Sequence, residues 1–118
     1  GNTVSVSGYA NGSPTYIQAT SGGTSIGITG NGLADYTIFI KHTGYAWSSS
    51  SVLGSSSTDN MDIVITNADG STAICTMTLS AGQAVVFPDT LLAGGCKILA
   101  KRGSSTDLAC EVMYAPTI

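Results

Sequence analysis

The chain has 118 residues, only 9% of which are charged, and a formal net charge of −3 at pH 7. Four cations cannot neutralise a run of nucleic-acid phosphates, and no apolar run approaches the roughly 18 residues of a membrane-spanning helix. The composition therefore argues against nucleic-acid binding and membrane insertion. The length fits a single domain, residues 1–118, whose core needs neither a metal nor a disulfide.

Glycine, serine and threonine together supply 46 of the 118 residues. Serine and threonine hydroxyls compete with the helical backbone, and glycine loses much entropy in a helix. Threonine suits a pleated surface and glycine suits tight turns. We therefore predict an all-β chain with little or no helix. A surface so poor in charge indicates either a coat of hydroxyl groups or cover by neighbouring subunits, and both disfavour an ordinary monomeric cytosolic enzyme.

The first thirty residues contain three short β-prone runs, at residues 3–7, 15–20 and 24–29. Asn-Gly dipeptides at 11–12 and 31–32 favour turns, because both residue types tolerate left-handed backbone conformations. We expect this part of the chain to form short strands or an extended arm.

The next two segments differ in pattern. Residues 35–43 alternate as a strand, with Tyr36, Ile38 and Ile40 on one face. Residues 44–60 are rich in serine and predict a long surface loop, which at that length is either functional or poorly ordered.

Residues 61–79 predict a β-hairpin, because apolar residues recur at every second position on both sides of an Asn-Ala-Asp-Gly turn. The inward face of the hairpin is expected to comprise Met61, Ile63, Ile65, Ala73, Cys75, Met77 and Leu79. Further strands are predicted at residues 83–87, 96–101 and 108–114. About eight short strands separated by turns indicate an antiparallel β-sandwich, either a jelly roll or an immunoglobulin-like fold.

Catalytic groups are scarce, since the chain has one histidine, His42, and one glutamate, Glu111. No Gly-x-Ser-x-Gly sequence marks a nucleophile, and no spacing pairs Glu111 with an aspartate. We expect His42 to be an ordinary surface residue and the protein not to be an enzyme. We also expect no cofactor.

The three cysteines are Cys75, Cys96 and Cys110, so at least one thiol is unpaired within the chain. Together with His42 they could be drawn as a zinc site, but they lack the close ligand pairs that structural zinc usually takes. We expect no metal, and expect Cys75 and Cys110 to face inward as small hydrophobic residues. A disulfide between two of the three stays open.

Tyr45 and Trp47 stand beside the serine-rich segment and form a candidate recognition loop. An exposed tryptophan next to hydroxyl groups could stack on a sugar. The alternative is that the single tryptophan is part of the core, since tryptophan buries a large area.

Four apolar residues occupy strand positions where polar or small residues are expected. If they align across a sheet, they form a contiguous patch that suits an oligomer or assembly interface. The alternative is that the chain's own loops bury them. The candidate interface residues are Phe39, Val64, Ile74 and Met113.

The C-terminal half also resembles a known class of proteins. The segments that carry the resemblance are NADGSTA at 67–73, LSAGQ at 79–83, LLAGGCKI at 91–98 and the strand at 108–114. Their order resembles the small β-sandwich virion proteins of tailed bacteriophages, namely capsid decoration, head-fibre and neck-type subunits. In this chain the turn within LLAGGCKI is followed by Cys96, whereas an acidic residue usually follows it in those virion proteins.

This resemblance implies a virion structural protein, in the first place a capsid decoration subunit that stabilises the phage head through protein–protein contacts. The implied partners are the major capsid protein or other virion subunits and further copies of the chain, most simply as a trimer. The implied location is the capsid surface or the head–tail region, after assembly in the host cytoplasm. The competing interpretation is a receptor- or carbohydrate-binding β-sandwich module of a phage or a secreted protein.

Overall fold

The computed structural model describes residues 4–5, 16–27, 36–87 and 95–116. These residues form ten strands and no helix, so they include no helix long and apolar enough to cross a membrane. The strands are β1 (Val4–Ser5), β2 (Tyr16–Ala19), β3 (Thr24–Gly27), β4 (Tyr36–Trp47), β5 (Leu53–Ser56), β6 (Met61–Thr66), β7 (Ala73–Leu79), β8 (Ala84–Phe87), β9 (Lys97–Arg102) and β10 (Leu108–Pro116).

The strands form two sheets. Sheet A has the order β1-β3-β9-β6-β7, and sheet B has the order β2-β10-β4-β5, with β8 also paired to β4. Neighbouring strands pair antiparallel, apart from the parallel pair β1–β3. The predicted all-β sandwich is therefore confirmed, and the first thirty residues contribute short strands to both sheets.

The core lies between the two sheets, and every strand from β2 to β10 except β5 contributes to it. Met61, Ile63 and Ile65 are fully or almost fully buried there, as their alternation predicted. The buried cluster comprises Ile17, Ala19, Ile26, Ile38, Ile40, Met61, Ile63, Ile65, Leu79, Phe87, Ile98, Ala100, Leu108, Cys110 and Val112. Burying these side chains supplies the main driving force for folding.

The predicted hairpin is also confirmed, since β6 and β7 pair antiparallel along their length. Gly70 closes the turn with a φ of 83°, a backbone conformation that costs glycine little. The Asn67 side-chain oxygen accepts hydrogen bonds from the Ser71 and Thr72 backbone N–H groups, at 3.0 and 3.1 Å. The turn is thus held by its own side chains.

Among the described strands, β7 and β8 have one neighbour each, so both lie at the edge of a sheet. A short turn, residues 80–83, leads from β7 in sheet A to β8 in sheet B, so the two edges lie on the same side of the sandwich. The backbone of His42 holds this turn, because its N–H donates to Gln83 O and its C=O accepts from Gly82 N–H, both at 2.9 Å. This side of the core is less completely covered: Met77 and Val85 pack against it while remaining partly exposed.

The prediction of a long loop at residues 44–60 is wrong in part. β4 continues to Trp47, and β5 returns beside it, with Tyr45 opposite Ser56 and Trp47 opposite Leu53. Serine tolerates an edge strand as well as a loop, so the residue types alone did not separate the two. The predicted turns at residues 11–12 and 31–32, and residues 91–94 of the LLAGGCKI segment, lie outside the described residues.

Candidate functional site

An apolar row crosses the outer face of sheet B. Phe39 on β4 lies opposite Val86 on β8 and opposite Met113 on β10. The neighbouring residues along β4, Ile38 and Ile40, point into the core, so Phe39 points outward. Val86 is 48% exposed, and Phe39 and Met113 are partly buried. We refer to Val86, Phe39 and Met113 as the apolar row.

The next outward positions on β4 and β10 are charged. Lys41 lies opposite Ala84 on one side and Glu111 on the other, and Glu111 lies opposite Tyr16. Opposite charges at directly paired positions attract each other across the strands. The outer face of sheet B therefore places one oppositely charged pair beside the apolar row.

The structure brings together only two of the four predicted interface residues, Phe39 and Met113. Val64 and Ile74 belong to sheet A. Val64 is only 6% exposed and lies between Thr76 and Leu99 on the neighbouring strands. Its burial occurs within this chain, whereas Ile74, at 62% exposure, is open to solvent at the edge.

The pattern of the sequence did not single out Val86. Val85 and Val86 are adjacent and chemically identical, so periodicity could not tell which of them points outward. The register does so, because it places Val86 opposite the outward-facing Phe39. Val85 instead packs against the core.

Tyr45 and Trp47 lie at the far end of β4. Tyr45 is 40% exposed, and Trp47 is partly buried but outside the buried core cluster. The backbone N–H of Trp47 donates to the backbone carbonyl of Asp107 at 2.9 Å. A Cβ on Gly54 of β5 would come within 2.8 Å of Ala46 O, so only glycine lets β5 approach this closely. The backbone therefore holds both aromatic residues in place and leaves part of each accessible.

The prediction of a surface histidine is wrong, because His42 is completely buried. It continues the inward alternation of β4 and lies opposite Cys110. Its Nδ1 accepts from the Gly44 N–H at 2.9 Å, and this leaves the proton on Nε2, which lies 2.6 Å from Asp59 O and donates to it. Both ring nitrogens are bonded to backbone groups, so the ring joins β4 to the segment before β6 and has no nitrogen free to act as a base.

A polar cluster links the two sheets. Asp107, before β10, accepts from Gln18 Nε2 of sheet B at 2.7 Å and lies 2.6 Å from Arg102 Nε of sheet A. The backbone N–H of Arg102 also donates to the backbone carbonyl of Thr20 at 3.0 Å. The cluster is partly exposed. Because its residues bind one another across the two sheets, we interpret it as a structural link between them.

The three cysteines are all free thiols, and the described residues contain no group of three metal-ligating side chains. Cys110 is buried, as predicted, and burial raises the pKa of its thiol to about 12. The prediction that Cys75 is buried is wrong. Cys75 does lie opposite the core residue Ile65, but it is exposed because β7 is the edge of sheet A.

Comparisons with known proteins add no relative, since no family model, no curated protein and no solved structure matches the chain.

Proposed function

We propose that this protein is a structural subunit that acts by binding other protein subunits, with the apolar row as its contact surface. The observation that carries the proposal is that Val86, Phe39 and Met113, from three different strands, lie side by side on the outer face of sheet B. Aligned apolar side chains on an outer sheet face are characteristic of protein–protein contact sites. Phenylalanine and methionine are enriched at such sites, and charged residues are depleted.

The specific form of this proposal follows from the resemblance to small virion proteins of tailed bacteriophages. In that form the chain is a capsid decoration subunit on the phage head, bound to the major capsid protein and to further copies of itself as a trimer. Such binding needs complementary apolar and backbone contacts rather than titrating groups. The low charged fraction of 9% is consistent with a surface that neighbours cover.

Two matched substitutions test the contact surface. Val86 in the apolar row and Val52 in the loop before β5 are both exposed, at 48% and 57%. We expect the native protein to have a mass above the 11.9 kDa of one chain by light scattering. Val86→Asp should lower this mass, because the carboxylate would be desolvated in the contact, and Val52→Asp should leave it unchanged. A mass that Val86→Asp does not alter would argue against the apolar row.

A second candidate function, carbohydrate binding, is favoured by one observation. Tyr45 and Trp47 lie two positions apart on one strand, and both are partly exposed. The expected result is that iodide quenches Trp47 fluorescence and that a panel of neutral oligosaccharides protects it, with the protection weaker in Tyr45→Ala. Emission that is blue-shifted and indifferent to iodide and to the oligosaccharides would leave the structural function as the better account.

A further inference from the structure

β7 has one neighbour among the described strands, β6, and its other edge faces outward. Residues 73–76 and Thr78 are exposed, Met77 is partly exposed, and Leu79 is buried. The register with β6 is irregular near Ile74 and regular from Cys75 to Leu79. At an edge strand, every second residue directs its N–H and C=O groups away from the sheet, where another strand can bind them.

From Cys75 to Leu79, beyond the irregularity at Ile74, β7 carries none of the features that block pairing at the edges of monomeric proteins. Its seven residues, AICTMTL, include no charged residue and no proline. Natural sheets protect such edges with lysine, proline or an inward-pointing charge. A long uncharged edge strand is therefore suited to receive a partner strand.

The side chains that a partner strand must carry can be read from β7 itself. Cys75 and Met77 lie opposite the core residues Ile65 and Ile63, at a side of the core that is incompletely covered. Thr76 and Thr78 lie on the outer face. A strand that completes this edge needs small or apolar residues toward the core and hydroxyl-bearing residues toward solvent. β7 has this alternation.

We propose that β7 pairs antiparallel with β7 of a second copy about a twofold axis, so that one sheet runs continuously through two chains. In an antiparallel pair, residues directly opposite each other point to the same face. Twofold pairing therefore places the inward residues Cys75 and Met77 of each copy beside the inward residues of the other. Such an isologous contact uses the same surface on both chains.

Charge also permits this arrangement. A charged residue in β7 would approach its own copy near the axis, and there is none. The nearest charge on the outer face is Asp62 of β6, which lies opposite Thr78 and accepts its hydroxyl at 2.9 Å. Three strand spacings would separate Asp62 from its copy, roughly 14 Å, which exceeds the screening length of about 8 Å at physiological salt.

The test uses two lysine substitutions in the Val86→Asp variant, in which contact through the apolar row is removed. Cys75→Lys places a charge at an exposed inward position of β7, and Val52→Lys places the same charge at an exposed position in the loop before β5. In the Val86→Asp variant we expect twice the 11.9 kDa mass of one chain by light scattering. Cys75→Lys should raise the dimer dissociation constant by at least about tenfold, since burying one lysine per chain opposes pairing. Val52→Lys should leave it unchanged.

Hydrogen exchange provides the second measurement, with the β6 amides as the control for folding. Amides between Cys75 and Leu79 should gain protection as the protein concentration rises, and Cys75→Lys should remove this gain. A mass of three chains would favour the trimer and overturn the twofold pairing. A monomer whose β7 amides are protected at every concentration would overturn it too, because the chain's own residues would then cover the edge. An assembly that Val86→Asp disrupts and Cys75→Lys does not would overturn this inference while leaving the apolar row intact.

Discussion

Phe39 of β4 lies directly opposite Met113 of β10 on the outer face of sheet B, and the next residues along the two strands, Ile40 and Val112, face each other in the core. The same strand pair therefore builds both the core and the apolar row, because successive side chains of a strand point to opposite faces. A substitution at Phe39 can change the outer surface without opening a cavity in the buried cluster.

A double-mutant cycle should detect the contact between Phe39 and Met113. We expect Phe39→Ala and Met113→Ala to show a coupling of about 0.5–1 kcal/mol in the free energy of unfolding, as cross-strand pairs typically do. Urea denaturation of the two single variants and the double variant measures it. The control pair is Phe39 and Ile74, which lie in different sheets and should show almost none. Equal coupling in both pairs would contradict the register.

His42→Leu should lower the free energy of unfolding by roughly 2–4 kcal/mol, because it leaves the partly buried Gly44 N–H and Asp59 C=O groups without their side-chain partner. Denaturant unfolding at neutral pH measures the loss. Thr78→Val is the control: it removes one hydrogen bond, between exposed groups, and should cost about 1 kcal/mol or less. If the two variants lost the same stability, the buried ring would not hold β4 to its neighbouring segment.

The free thiols should react with iodoacetamide in a set order. Cys75 is exposed and should react first, whereas Cys110 is buried with a thiol pKa raised to about 12 and should react only on unfolding. Mass spectrometry of peptides after timed alkylation gives the order. Cys75→Ser should remove the fast phase alone. Rapid labelling of Cys110 in the folded protein would show that this part of the core opens readily.

The same thiol should make the fold sensitive to alkali. The pKa of Cys110 is raised from 9.0 to about 12 in the folded chain because burial disfavours the thiolate. The contribution of this thiol to stability is fully present below the unfolded pKa and is lost as the pH rises toward 12. Between these values the free energy of unfolding should fall on the order of 1 kcal/mol per pH unit from this group. Cys110→Ala should be less stable at pH 7 and should lack this part of the slope.

The hairpin turn should respond to acid through Asp69. Hydrogen bonds from the Ser71 side chain and backbone hold the pKa of this exposed carboxyl below 3.8. The ionised Asp69 carboxyl contributes to stability above the pKa that it has in the unfolded chain. This contribution is lost as the pH falls through its lower pKa in the folded chain. Asp69→Asn should therefore flatten the stability profile below about pH 4, as measured by thermal unfolding. Asn67→Ala, which removes bonds to Ser71 and Thr72, should lower stability at pH 4 and pH 7 alike.

The burial of single residues was the hardest feature to predict. His42 and Lys41 are both polar residues near the middle of β4, yet His42 is buried and Lys41 is exposed. The alternation of inward and outward positions along β4 can be predicted from the sequence. Whether a histidine at an inward position is buried depends on whether backbone groups bind its ring, and the sequence does not show this. Cys75 is the opposite case, since it was expected in the core and is exposed. It occupies an inward position, but its strand has one neighbour in the described sheet and is therefore less well covered.

Sequence patterns alone predicted the all-β class, the hairpin of β6 and β7 with its turn, and the inward positions Met61, Ile63 and Ile65. Composition, turn residues and period-two alternation are local properties, so one segment suffices to read them. The patterns did not show which strands are neighbours and which lie at an edge. Strand pairing depends on contacts between distant segments, and it places Phe39 beside Met113 and Val86, buries Val64, and gives β7 one neighbour among the described strands.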